Sequence, residues 1–461
     1  MPASELIKNL WEYTKQPIDI IDNLSLTGEG PVLPSSFQID KMAQSFIALT
    51  SLSAAEIWRQ RTGQTQTVAV DIKHAAAEFR SERYQLINSG PAPALWDAIA
   101  GAYQCGDGRW VRIHTNFDHH RNGILNILKC ANERGAVQAA LNNWQAGEFE
   151  TCISEAGFLA VMMRSPDEWL AHPQGQAIAR QPLLTITKID DAPSLSFKEN
   201  PERPLSEVRV LDLTRIIAGP VGGRTLAAHG ANVLRVTSPH LPSIAPLVID
   251  NGRGKRSAHI DLKTEDGKAK LSSLIKEADV FIQGYRPQAI STLGFSPDQV
   301  AKEQPGIIYA SLSAYGPKGP WADRRGFDSL MQTVSGLNAA EAEALGSSQP
   351  TPLPNQALDH ATGYLLAFGV MAALLRRAQE GGSWHVQVSL AQTGQWLQNL
   401  GQIDHGFNVK DQTAADIGKF LETSPSGFGK LTSIRHAGIL SQTPAYWTLP
   451  SQPLGHHLPL W

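Results

Sequence analysis

The chain predicts an α/β protein: a doubly wound parallel (Rossmann-like) large domain with a smaller α+β domain ahead of it. Three observations carry this expectation. From residue 208 onward, short apolar β-runs alternate with helical stretches at regular spacing. Before that, residues 91–190 break the alternation and place a Gly-Asp-Gly turn between two β-runs. Finally, a pattern of Asp, long apolar helix, Gly and β-run occurs twice. Its copies start at Asp40 and Asp359, 319 residues apart.

The elements follow in order. Residues 1–35 read as an N-terminal extension with one helix near 4–14. Residues 36–90 hold the first copy of the pattern: Asp40, the run Phe46-Ile47-Ala48-Leu49, Gly63 and Val68-Ala69-Val70. The small domain, 91–190, has its hairpin turn at Gly106-Asp107-Gly108 and helical patterns near 123–131 and 137–146. Residues 191–207, with Pro193, Pro201 and Pro204, read as a linker. The large domain spans 208–461. It opens with a strand at 208–213 and a helix at 219–229, for which Gly230 is a suitable stop. Strands are predicted at 232–236, 258–262, 279–283 and 307–311, and an amphipathic helix at 264–277. The second copy then brings Asp359, Tyr364-Leu365-Leu366-Ala367-Phe368, Gly382 and a strand at 385–390. Aligning the copies matches Ala48 with Ala367, Ala54 with Ala373, Gln60 with Gln379 and Gly63 with Gly382. A shared origin follows more readily than coincidence, although apolar helices share alanine easily.

Composition narrows the function classes. A chain of 461 residues is long enough for two or three domains. With 42% hydrophobic and 18% charged residues, the balance is globular. A formal net charge of −3 gives no reason to expect a nucleic-acid partner. Cys105, Cys130 and Cys152 make an odd count without a CxxC, which argues for a reducing compartment and against a zinc cluster. The longest apolar stretch, 363–375, is too short to span a bilayer, and the first residues lack a signal-peptide pattern. The expectation is a soluble cytoplasmic protein with no membrane partner. His119-His120 and His456-His457 are adjacent pairs rather than ligands on one helix face, so no metal is assigned. Gly219-Pro220-Val221-Gly222-Gly223 departs from GxGxxG, which disfavours a dinucleotide oxidoreductase, and there is no GxSxG hydrolase elbow.

An ordered set of segments then stands out. Val208-Arg209-Val210-Leu211-Asp212-Leu213-Thr214-Arg215 comes with Ala218-Gly219-Pro220. His229-Gly230-Ala231-Asn232-Val233 follows, then Gly254-Lys255-Arg256-Ser257 with Asp261-Leu262-Lys263-Thr264. Ala278-Asp279-Val280 and Gly326-Phe327-Asp328, with Gln332 and Ser335-Gly336, complete it. In this order and spacing the set resembles the class III CoA-transferase (CaiB/BaiF) family, whose members include formyl-CoA and carnitine CoA-transferases and the related α-methylacyl-CoA racemase. The first half is similar to the same family in another way. Asp40 to Ile72 looks like the helix and strand after the family's catalytic Asp. Gly106-Asp107-Gly108-Arg109-Trp110 looks like the start of its small domain, and His172-Pro173-Gln174 like a later part. Pro453-Leu454-Gly455-His456-His457, with Pro459, resembles the terminal Gly-His segment. The small domain therefore precedes the large one, the reverse of a typical member.

The resemblance implies CoA transfer from an acyl-CoA to a small carboxylic acid, with Asp359 as the nucleophile. It carries CoA contacts onto Arg215, Ile216, Ile217, Ala218, Ile260, Lys263, Gly284, Tyr285, Leu293 and Arg325. It implies no tightly bound cofactor, coenzyme A entering as substrate, and an intertwined homodimer. The residues themselves leave a second reading open, because Asp is also a favoured N-cap of an apolar helix. Asp40 is expected to be such a cap, and a basic face in water is the plain alternative for Lys255, Arg256 and Lys263. Departures from the family pattern are Thr237-Ser238 at the end of the second strand, Thr292 before Leu293, and Gly284 before Tyr285. Two other functions stay in view: acyl-CoA racemisation, for which Phe327 supplies no base, and non-catalytic acyl-CoA binding.

Overall fold

The computed structural model describes residues 2–461; Met1, part of the expected extension, lies outside the described residues. Helix α1 (Ala3–Trp11) turns Leu6, Ile7, Leu10 and Trp11 inward at helical spacing. Strand β1 (Leu24–Thr27), helix α2 (Ile39–Thr62) and strand β2 (Val68–Asp71) follow. β1 lies parallel to β2, and α1 contributes to the main apolar core. Residues 2–35 are thus an integral layer of the fold rather than an extension. α2 ends at Gly63, whose φ of 73° is the left-handed conformation that terminates a helix without a side-chain clash.

Short helices α3 (Ile72–Glu78) and α4 (Ser81–Tyr84) lead into the small part. There β3 (Gly101–Gln104) and β4 (Trp110–Ile113) form the hairpin, α5 (Asp118–Leu128) follows, and β5 (Ala160–Met162) pairs with β4. Tyr103, Val111, Ile124 and Phe149 belong to a core of its own. The stretch 91–190 does not end there. β6 (Leu184–Asp190) leaves the small part and lies antiparallel along the edge of the large sheet.

The rest of the large sheet is β7 (Arg209–Leu213), β8 (Asn232–Thr237), β9 (Lys255–His259), β10 (Val280–Gln283), β11 (Ile308–Ser313) and β12 (Ser383–Ser389). Its order is β9-β8-β7-β10-β11-β12-β6, parallel except at β6. β9 begins three residues before the predicted start at 258. Its inward positions include Lys255 and Ser257, polar types that do not read as a buried strand. Helices α6 (Ala218–Ala228), α7 (Asp328–Val334) and α8 (Ala357–Glu380) fall between strands. Finally β13 (Gly438–Leu440) returns to pair antiparallel with β2.

α8 is the central helix, packed against α6 and α2. Its length and hydropathy would suit a bilayer, but its apolar window is entirely covered by protein. The α6–α8 contact needs glycine: a Cβ on Gly363 would overlap the Ala218 carbonyl oxygen and lie 2.7 Å from the Val221 Cβ. α2 and α8 are both 24 residues long and lie side by side, so the doubled pattern is also a packed pair.

Polar side chains tie the first part to the second. Asp250 is wholly buried and accepts hydrogen bonds from Ser81 at 2.7 Å, Arg224 at 2.5 Å and Arg253 at 2.7 Å. Burial alone would raise its carboxyl; the two guanidinium groups hold it at about 2 instead. Glu78 accepts from the Tyr364 hydroxyl and the Ala437 backbone, both at 2.5 Å.

Candidate functional site

The strand order reverses between β7 and β10, and in open parallel sheets ligands settle at such a point beyond the carboxyl ends of the strands. A cleft of about 330 Å³ lies there. Its floor is the turn from β7 into α6 and the segment after β10. Its side is the end of β11 with the loop before α7, and its roof is Phe117, His119 and His120 from the small part. The α6 N-terminus adds free backbone N–H groups and a positive dipole end. Just before it Ile216 has φ of 71°, a rare conformation for a β-branched residue and one that concentrates at functional sites.

The floor is held from behind. Asp212, on β7, accepts from the Thr214 backbone at 3.0 Å and from Lys255 Nζ at 2.8 Å. Lys255 also donates to the Pro220 carbonyl at 2.8 Å and is buried. Lys255 is therefore a buried structural cation rather than part of a surface basic face. Arg256 is half-buried on Asn232.

Asp359 lines the cleft from the first turn of α8. It is not an N-cap: the cap position is Gln356, and Asp359 is the third helical residue. Nor is Asp40 the N-cap of α2, which begins at Ile39 after Gln38. The Asp40 carboxylate instead accepts the backbone N–H of Val32 at 2.7 Å and of Lys41 at 2.8 Å. Asp40 thus pins the loop that precedes its own helix.

Around Asp359 the structure builds a buried acidic cluster. Its backbone N–H donates to Asp328 Oδ2 at 2.9 Å, and Gln332 donates to the other Asp328 oxygen. Burial raises the Asp328 carboxyl to about 6, against the pull of those donors. Burial, then the Asp328 charge, then Glu82 raise Asp359 well above the usual carboxylate range. Next to it His360 points away from the cleft. Its Nε2 meets Glu82 Oε2 at 2.9 Å, and its ring stacks on Phe79 at 5.6 Å. Both Glu82 and Phe79 come from the first part of the chain.

Of the residues that the resemblance assigns to CoA, Arg215, Ile216, Ile217, Ala218, Gly284, Tyr285 and Arg325 line the cleft with Asp359. Three do not. Ile260 is a core residue beside Leu234 and Val236, 5% exposed, so its side chain is no wall of the cleft. Leu293 packs on that same core, and Lys263 is exposed past the end of β9. Sequence reasoning missed Glu82, Asp328 as the partner of Asp359, Arg286, Arg324 and the roof. Asp328 belongs to the Gly326-Phe327-Asp328 segment, and the adjacent pair His119-His120 has no spacing that signals a cleft roof. Burial, then His119 and Arg325, lowers the roof imidazole of His120 to about 4. Burial lowers His114, stacked on Phe327 at 4.2 Å, to about 3.

A cleft at the switch point of a parallel sheet thus brings together a cationic rim and a buried carboxylate at a helix start. The chain belongs to CoA-transferase family III: the sequence model of that family matches residues 23–200 and 205–426. Among curated proteins, an acetyl-coenzyme A transferase of Hypoxylon pulicicidum is 32% identical over 330 residues, covering 66% of this chain and 55% of that one. A probable fatty acyl-CoA transferase of Mycobacterium tuberculosis is 37% identical over 212 residues, 43% of this chain and 53% of that one. A succinate–glutarate CoA-transferase of Agrobacterium fabrum is 31% identical over 209 residues, 41% and 52% respectively. The chain thus spans about half the length of the curated relatives it matches. A solved CaiB/BaiF family structure from Brucella suis is 26% identical, covers 50% of this chain and 65% of that one, and gives a TM-score of 0.37.

Proposed function

We propose that this chain moves CoA from an acyl-CoA to a carboxylic acid, with Asp359 as the covalent carrier. One Asp359 carboxylate oxygen attacks the thioester carbonyl, forming a mixed anhydride and releasing CoA thiolate. The thiolate attacks the Asp359 carbonyl of that anhydride, giving an aspartyl-CoA thioester and the free donor acid. The acceptor carboxylate attacks this thioester, again releasing thiolate. The thiolate then attacks the acceptor carbonyl, which forms the new acyl-CoA and restores Asp359. No net proton is consumed, and each step is an acyl transfer to a good nucleophile.

The observation that carries this reading is the placement of Asp359 in the same cleft as Arg215, Ala218, Gly284 and Tyr285. Free N–H groups at the start of α6 suit a developing oxyanion. The chain from β7 onward supplies the floor and the nucleophile, and the chain before it supplies the roof and Glu82. Both walls described come from one chain; sedimentation would measure the expected homodimer. Phe327 puts a phenyl ring where racemases of this family carry a base, so proton abstraction would fall to His119 or His120.

The test is a donor and acceptor screen with mass spectrometry of the intact protein. A CoA adduct that maps to Asp359 and is released by hydroxylamine is the expected result. Full transfer by Asp359→Asn would sink the reading. Deuterium entering the α-carbon without any CoA adduct would support racemisation instead.

A further inference from the structure

β8 carries a charge on a face that is otherwise core. Val233 belongs to the main apolar core, and Arg235, two residues on and on the same face, is only 4% exposed. Its Nε and Nη1 have no hydrogen-bond partner among the described residues. Thr237 comes next on that face; it is 3% exposed, and its Oγ1 has no partner either. Both side chains line one small cavity of about 10 Å³, together with Arg215 from the end of β7. Much of the remaining lining is apolar, with Leu241, Ile244, Leu247 and Val248. Arg215, Ile216, Leu241 and Pro242 also line the Asp359 cleft, so the two spaces adjoin.

The charges around this cavity do not balance. Among the described residues, neither Arg215 nor Arg235 has a carboxylate oxygen within salt-bridge distance. Arg215 donates to the Pro242 carbonyl and lies 5.5 Å over the Phe117 ring. Asp212 attracts Arg235 through space, but its carboxylate is already engaged by Lys255 Nζ at 2.8 Å. A buried guanidinium is costly unless a counter-charge and hydrogen-bond acceptors meet it. A water molecule would accept the hydrogen bonds and leave the charge uncompensated.

We propose that this cavity binds one small inorganic anion, a halide such as chloride, held by Arg235, Arg215 and the Thr237 hydroxyl. Its size selects the ion: about 10 Å³ takes a single body of roughly the size of a water molecule, and a tetrahedral phosphate does not fit. The anion supplies the counter-charge that the chain itself lacks at the end of β8. The site stands apart from the chemistry at Asp359 and does not rest on the transfer reading.

Thermal melts of the full chain without CoA test it, in chloride and in gluconate, a bulky organic anion, at equal ionic strength. The midpoint is expected to rise with chloride and to saturate after about 3 °C, the shift of a site filled well above its dissociation constant. Sulfate should not replace chloride. Arg235→Gln should abolish the chloride shift. Thr237→Asp puts a carboxylate on the same face, so it should abolish the shift while keeping the midpoint near the chloride value; it carries the test if Arg235→Gln does not fold. Equal midpoints in chloride and gluconate overturn the proposal and leave the cavity to water. Equal stabilisation by sulfate overturns the choice of a monoatomic ion. A chloride shift undiminished in both variants overturns the site, because the ion then binds elsewhere. A rise of the midpoint with CoA that Arg235→Gln cancels, with no effect of chloride, would give Arg235 to the CoA phosphates and likewise overturn it.

Discussion

Replacing Asp328 by asparagine should change how stability depends on pH. Asp328 is 1% exposed, and burial raises its carboxyl from 3.8 to about 6. A carboxyl raised in the folded state binds its proton more tightly there than in the unfolded chain. Its contribution to stability is complete below about pH 3.8 and is lost as pH rises through about 6. A rise of that size corresponds to about 3 kcal/mol. The asparagine amide keeps an oxygen to accept the Asp359 N–H but cannot ionise. Removing the Asp328 charge also lets Asp359 ionise without a like charge beside it, which acts in the same direction. Urea unfolding at about pH 4 and about pH 7.5 would measure this. The stability of D328N relative to the native protein should improve by about 2.4 kcal/mol between the two. A difference between the proteins that is the same at both pH values would refute the reasoning. Under the transfer reading, the acid limb of the pH–rate profile should also move to lower pH in D328N, because the nucleophile loses a negative neighbour. An unmoved limb would mean that the two carboxyls do not feel each other.

Three further outcomes follow. Gly363→Ala drives a methyl into the Ala218 carbonyl oxygen, so the α6–α8 contact must open; a loss of about 1–3 kcal/mol is expected in denaturant melts, and an unchanged midpoint would count against that contact. Glu82→Gln takes the charged partner from the buried His360, which should cost about 3 kcal/mol and lower kcat more than it raises KM; a change in KM alone would place Glu82 in binding rather than in positioning. Asp250→Asn leaves Arg224 and Arg253 without their shared counter-charge, with an expected loss of about 3–5 kcal/mol in urea melts, and a loss under about 1 kcal/mol would show that the two guanidinium groups find other acceptors.

Much of the architecture was legible in local patterns. Strands such as β7 and β10 are apolar runs bounded by turn residues, and Gly63 marks a helix end by its own conformational freedom. The doubled helix was legible because 24 residues of mostly apolar, alanine-rich sequence leave little else to form. What escaped depends on residues far apart in the chain. Glu82 and His360 are separated by 278 positions, and neither signals the other. β9 was misplaced because Lys255 looks like a surface residue until Asp212 stands beneath it. Seven of the ten positions that the resemblance assigns to CoA lie together, six of them just past the ends of β7 and β10, which strand order brings side by side. Ile260 lies off the cleft because, just past the end of β9, its side chain took the inward face. α1 was legible as a helix, but its partner, α2, could not be read from its nine residues.

The two edge strands, β6 and β13, bear on how the chain comes off the ribosome. β6 belongs to the first two hundred residues but pairs only with β12, made nearly two hundred residues later. β2 waits longer still for its antiparallel neighbour, which arrives at residue 438. Nascent chains released at about residue 200 would expose both unpaired edges, where strands from other chains can dock. Cutting the finished protein within 191–207 should therefore yield two fragments that copurify, each still completing a sheet of the other.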